Sequence, residues 1–316
     1  MSRGIKTLWI VIACIFAVGI ILATAGFALG ATGSAWYDRQ GLHFGSSEKL
    51  ELSDSSTEPF ENIDIKLLDA NVEIIVANNY GYEFSYTGTR DPRVEVRNGT
   101  LTVVENKDNW RLNLFGWNWQ NWVLFDASAN LKVYVPRSAT LNNVSLNMAS
   151  GNTVFNGSQM SIKDLTCNSM SGNIKFTDLK LDQLTLDVAS GDVELNNVSA
   201  IKANINMMSG WLHYSGAKLD SMTLNMTSGN LRLDGEITKL LQLRMISGDS
   251  TIVLAGNKDD YSFELNKISG SVKVDGQRID WGFDGPGSHT IPSSTGRGGH
   301  ISIDTTSGDV DISFKN

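Results

Sequence analysis

The sequence predicts an all-β fold, a β-helix or β-solenoid of coils of about 19 residues, behind one N-terminal transmembrane helix. Three observations carry this: a repeated Ser-Gly pair, alternating apolar residues on both sides of it, and a long uncharged run near the N-terminus. The pair recurs in MASGNTVF, SMSGNIKF, VASGDVEL, MMSGWLHY, MTSGNLRL, MISGDSTI, KISGSVKV and TTSGDVDI. In numbers these are Ser150-Gly151, Ser171-Gly172, Ser190-Gly191, Ser209-Gly210, Ser228-Gly229, Ser247-Gly248, Ser269-Gly270 and Ser307-Gly308. Successive serines are 21, 19, 19, 19, 19, 22 and 38 residues apart, the last being twice 19.

Each unit reads as two short strands. Leu184, Leu186 and Val188 alternate before one pair, and Val193 and Leu195 after it, so one face points inward and one outward. The inward phase changes across Ser-Gly, where a glycine permits a bend. Asn or Asp follows the glycine in six of the eight units, which suits a turn that tolerates unusual backbone angles. Such a unit is too short to enclose its own core and fits one coil stacked on the next at about 4.8 Å. The serines would then form a hydroxyl ladder, and the unit at Ser307 would follow the one at Ser269 after a loop. Met148, Met170, Met207, Met208, Met226 and Met245 crowd the turn and read as adaptable core filler. The outward column Val154, Lys175, Glu194, His213, Arg232, Thr251, Lys273 and Asp311 mixes signs and reads as a solvated face.

From Leu8 to Leu29 no residue is charged, and 22 helical residues span about 33 Å, enough for a hydrocarbon core of about 30 Å. Arg3 and Lys6 precede the run, which favours a cytoplasmic N-terminus and an extracytoplasmic C-terminal domain, a single-pass protein of the cell membrane. A cleaved signal peptide is the competing reading, though its apolar region is ordinarily shorter. The domain expectation is therefore an anchor over 1–33, a polar spacer over 34–59 and a β-solenoid over 60–316. Within the solenoid, 60–130 is an atypical capping start and 131–316 the regular repeats, interrupted by a loop-like insertion at 276–299.

The capping start contains a Trp-rich insertion, 106–127. Trp110, Phe115, Trp117, Trp119, Trp122 and Phe125 form the candidate binding surface. They read either as a hydrophobic lid on the first coils, as an exposed aromatic surface for glycan or protein, or as a wedge into the bilayer.

The net charge of −8 excludes a phosphate-gripping role, so nucleic acid is not a partner. Cys14 and Cys167 cannot staple the outer domain, and no Cys/His spacing suggests a metal, so no cofactor is expected. His43, His213, His289 and His300 share no ligand spacing and have no evident nucleophile partner. A glycosidase needs two carboxylates about 5–9.5 Å apart. Asp192, Asp249 and Asp309 occupy one turn position, but Trp211, Asn230 and Ser271 interrupt them.

Strands punctuated by SGNIKF, SGDVEL, SGNLRL and SGDVDI over about 60–316 resemble the DUF4097 family of bacterial adhesin-type proteins. The resemblance implies a β-solenoid in the cell envelope, and it implies no catalytic residues. The functional expectation is a non-catalytic, membrane-anchored surface scaffold for binding or adhesion, with cell-wall glycan or another envelope protein as partner. An accessory or regulatory envelope protein is the alternative, and a polysaccharide-active β-helix enzyme the third reading.

Overall fold

A computed structural model describes residues 35–38, 41–44, 48–55, 57–88, 92–105, 113–114, 117–118, 128–279, 286–296 and 298–315. The expected anchor lies outside the described residues. Among those described, no helix is long and apolar enough to cross a membrane, and the only helical element is a single 3-10 turn, Lys258–Asp260. The chain divides into two units, a small one (1–50, 87–90 and 109–127) and a large one formed by the remainder. The small unit contains two antiparallel pairs, Ala35–Asp38 with Gly41–Phe44 and Asn113–Leu114 with Trp117–Asn118. The stretch read as a spacer thus carries strands, including Glu48–Asp54.

The large unit is all-β and built of stacked parallel coils, each named here by the residue at its turn. Register advances by one repeat: Ile174 faces Val193, Leu186 faces Ile205, and Ser190 faces Ser209. The alternation read from sequence is the burial pattern. Leu184, Leu186 and Val188 are buried before one turn and Val193 and Leu195 after it. Phe155, Phe176 and Tyr214 are among the largest fully buried side chains, and the Tyr214 hydroxyl donates to the Val198 carbonyl at 2.9 Å. Cys167 is fully buried, and loss of solvation pushes its thiol up to about 12, partly offset by a hydrogen bond with Thr153. It is a core residue with no thiolate to react.

The turn explains both of its glycine and amide residues. The eight repeated glycines have φ between 89° and 135°. A Cβ on Gly191 would stand 2.0 Å from the Gly172 carbonyl oxygen, and each coil repeats that approach. The Asn and Asp residues that follow are not themselves in positive-φ conformations. They make a ladder instead. The Oδ1 atoms of Asn71, Asn152, Asn173, Asp192, Asn230, Asp249 and Asp309 each accept the backbone N–H one coil further on, at 2.8–3.1 Å. Trp211 cannot accept, and there the Asn230 N–H turns to the Gly210 carbonyl at 3.2 Å. The expected serine ladder is not formed. From Ser171 onward the repeated serines are exposed, and the side-chain ladder between coils at this turn is made by the amide and carboxylate groups, beside backbone bonds such as Ile174 N–H to the Asp192 carbonyl.

The stacking order departs from the sequence order at both ends. Ser247 pairs with Ser307, not with Ser269, and His300–Ser307 lies between the strands of the Ser247 and Ser269 coils. The last repeat is thus the penultimate coil, and the coil of Ser262–Lys267 and Val272–Val274 is outermost. Antiparallel strands Gln277–Arg278 and Gly287–Ile291, within the stretch read as a loop, pair with that outer coil. At the other end Asn62–Ala77 is inserted between Leu141–Ser150 with the start of the next strand on one side, and Thr100–Glu105 with Ser128–Pro136 on the other. Pro92–Arg97 pairs antiparallel with Thr100–Glu105. The mixed-sign column follows the same order, so Asp311 stands between Thr251 and Lys273, and Lys175 reaches Glu194 at 2.9 Å.

Candidate functional site

Three neighbouring columns precede the turn. The residue two before each serine points inward, and those one and three before it point outward. Because the strand bends there, the columns enclose a groove of about 1370 Å³ crossing the coils from Lys66 and Glu105 to Ile268. Its floor is Leu67, Met148, Val188, Met207, Met226 and Met245, interrupted by the polar Ser169, Thr305 and Lys267, each 5% exposed or less. These methionines are the core filler read from sequence. Met170 and Met208 are not: they stand 67% and 63% exposed on one wall, with Ile246 and Ile268 at 55%. Four of the six large hydrophobic residues exposed among the described residues therefore lie in this groove. The signal was present in the sequence, since the residue before each serine falls on the outward phase.

The opposite wall is polar. Asn168 Nδ2 donates to Asn147 Oδ1 at 2.7 Å, Asn206 to Asp187 at 2.7 Å and Asn225 to Asn206 at 2.8 Å. Each amide spends one donor on its neighbour and keeps another donor and acceptor capacity for an occupant. The groove's charges are balanced locally. Lys66 pairs with Asp64 at 2.7 Å, Arg244 with Asp304 at 3.7 Å, and Lys267 Nζ donates to the Gly270 carbonyl at 3.1 Å. Glu105 accepts the Leu68 N–H at 3.3 Å.

Of the Trp-rich candidates, Trp110, Phe115, Trp119, Trp122 and Phe125 lie outside the described residues. Trp117 belongs to the short strand Trp117–Asn118, with its side chain also outside them. Their insertion joins Glu105 to Ser128, the place in that coil where the others have Ser-Gly.

Two arrangements resemble catalytic groups and neither works as one. The coil exchange brings Asp249 and Asp309 into adjacent coils, but Asp249 Oδ1 accepts the Asp309 N–H. Asp309 accepts from Ser271 Oγ and N, both at 2.8 Å, and these bonds hold its carboxyl below the usual range. A glycosidase acid needs the opposite shift. Ser262 Oγ lies 2.9 Å from His300 Nδ1, with Glu264 Oε2 3.7 Å from Nε2, beyond hydrogen-bonding reach. This trio is outside the groove, and the Ser262 N–H already donates to Gly299. Among the described residues no cluster could hold a metal.

Fold and groove thus define a class, a β-solenoid with a lateral groove. The family model of Toastrack DUF4097 matches residues 60–313, and the chain belongs to that family. No curated protein is similar enough to count as a relative. Among solved structures, a "putative adhesin" from Bacteroides fragilis NCTC 9343 is 12% identical with a TM-score of 0.44, covering 84% of this chain and 98% of its own. A "putative lipid binding protein" from Parabacteroides distasonis ATCC 8503 is 15% identical with a TM-score of 0.42, covering 84% and 96%. Neither likeness is close enough to argue a ligand.

Proposed function

We propose that this chain is a non-catalytic scaffold of the bacterial cell surface that binds its partner along the groove. It is anchored by the apolar segment Leu8–Leu29, with the N-terminus cytoplasmic and the solenoid outside. The observation that supports this reading is the concentration of exposed Met170, Met208, Ile246 and Ile268 in one continuous groove. Exposed apolar surface gathered in one place marks a binding site far more often than scattered residues do.

The test uses the full-length protein in detergent, mixed with purified cell-wall sacculi and, separately, with liposomes. The double variant Met170→Lys, Met208→Lys changes only exposed side chains and leaves the core intact. Sacculus binding that is lost in this variant supports the proposal. Binding that survives it but disappears on changing Trp117, Trp119 and Trp122 to Ala moves the contact to the Trp-rich insertion and overturns the groove assignment. Release of sugar from the sacculi would overturn the non-catalytic reading.

A further inference from the structure

The apolar wall has a period that only the true stacking order reveals. Taken along the stack, large residues occupy every second coil: Leu68, Met170, Met208, Ile246 and Ile268. Small ones fill the coils between: Ala149, Ala189, Thr227 and Thr306. In sequence order Ile246 and Ile268 would be neighbours. The insertion of the Ser307 coil places Thr306 between them and completes the alternation. The wall is therefore a row of knobs and holes with a repeat of two coils, about 9.5 Å.

An occupant of this groove is linear, since the groove crosses nine coils. It is neutral, because Lys66, Arg244 and Lys267 are matched in number by Glu105, Asp187 and Asp304. It offers apolar faces to the methionine floor and hydrogen-bonding groups to the amide wall. An acyl chain leaves the amides unused, and an extended peptide repeats every two residues, about 6.7 Å, out of step with the holes. A β-1,4-linked glycan in its extended form has the required features. Its successive rings are turned over, so substituents alternate sides, and its two-ring repeat is close to two coils. Ring faces are apolar while hydroxyl and amide groups point sideways.

We propose that the groove binds a neutral β-1,4-linked glycan strand laid along the stack, one disaccharide per two coils. The substituent of every second ring is received over Ala149, Ala189, Thr227 and Thr306. This rests on the reading of the groove as the binding site and adds the ligand class to it.

The probe is chitohexaose, titrated calorimetrically into the full-length protein in detergent, beside the double variant Ala189→Met, Met208→Ala. The variant keeps the composition of the wall and reverses its phase locally. The expected result is saturable binding of chitohexaose, tighter than that of the disaccharide, and about tenfold weaker in the phase-reversed variant. Thr227→Met alone, at an exposed position, fills one hole and gives a second reading with the same expected direction should the double variant fold poorly. Chitohexaose binding that ignores the phase overturns the proposal. So does sacculus binding without chitohexaose binding, which leaves the scaffold reading standing. Loss of both ends both.

Discussion

The turn residues divide their work in a way that substitutions can separate. Gly191 combines a φ of 130° with a Cβ site 2.0 Å from the preceding coil's carbonyl, whereas Gly276, with a φ of 71°, has open space around it. Gly191→Ala is expected to cost about 3 kcal/mol or more, and Gly276→Ala about 1 kcal/mol, in equilibrium denaturation. Asn173→Ala removes the acceptor for the Asp192 N–H and should cost about 1 kcal/mol, while Ser190→Ala, at an exposed hydroxyl, should cost under about 0.5 kcal/mol. Equal losses would return the ladder to the serines. Asp309 adds a pH dependence. Its folded carboxyl titrates below the unfolded value of about 3.9, so its contribution is complete above that value and is lost as pH falls through the folded pKa. Asp309→Asn keeps an uncharged acceptor for Ser271 but removes the stabilisation that depends on the charge, so it should lower the neutral plateau of a melting-temperature profile slightly and flatten its acid limb.

At the scale of elements, the strands and their inward faces were legible because period-2 alternation and a 19-residue spacing leave little choice. The neighbours of each coil were legible only in the middle. A gap of 38 is twice 19, and that arithmetic holds whether the Ser307 coil lies outside the Ser269 coil or between it and the Ser247 coil. Edge pairing settles the matter, and spacing does not encode it. The same limit hid the insertion of Asn62–Ala77 between later strands. The Asn and Asp residues were visible as a pattern, yet their function was not, because a ladder of acceptors needs the neighbouring coil to be known. Truncation after Gly299 tests the exchanged order. It removes the coil on which Ser262–Lys267 and Val272–Val274 stack, so limited proteolysis should trim the shortened chain back to about residue 256. Protection of 258–279 in the truncated protein would mean that the Ser269 coil rests directly on its sequence neighbour.

For the large unit as a whole, the exchange at the C-terminal end has a functional consequence. It keeps the alternation of the groove wall unbroken from Leu68 to Ile268, so the central claim is the order of the coils. Engineered disulfides measure that order directly. Facing residues in adjacent coils lie within disulfide reach, whereas residues two coils apart, at about 9.5 Å, do not. In a Cys14→Ser, Cys167→Ala background, the pair Ser247→Cys, Ser307→Cys should oxidise quantitatively, and the pair Ser247→Cys, Ser269→Cys should remain reduced. The reverse outcome would restore the sequence order, break the alternation of the groove wall and contradict the account.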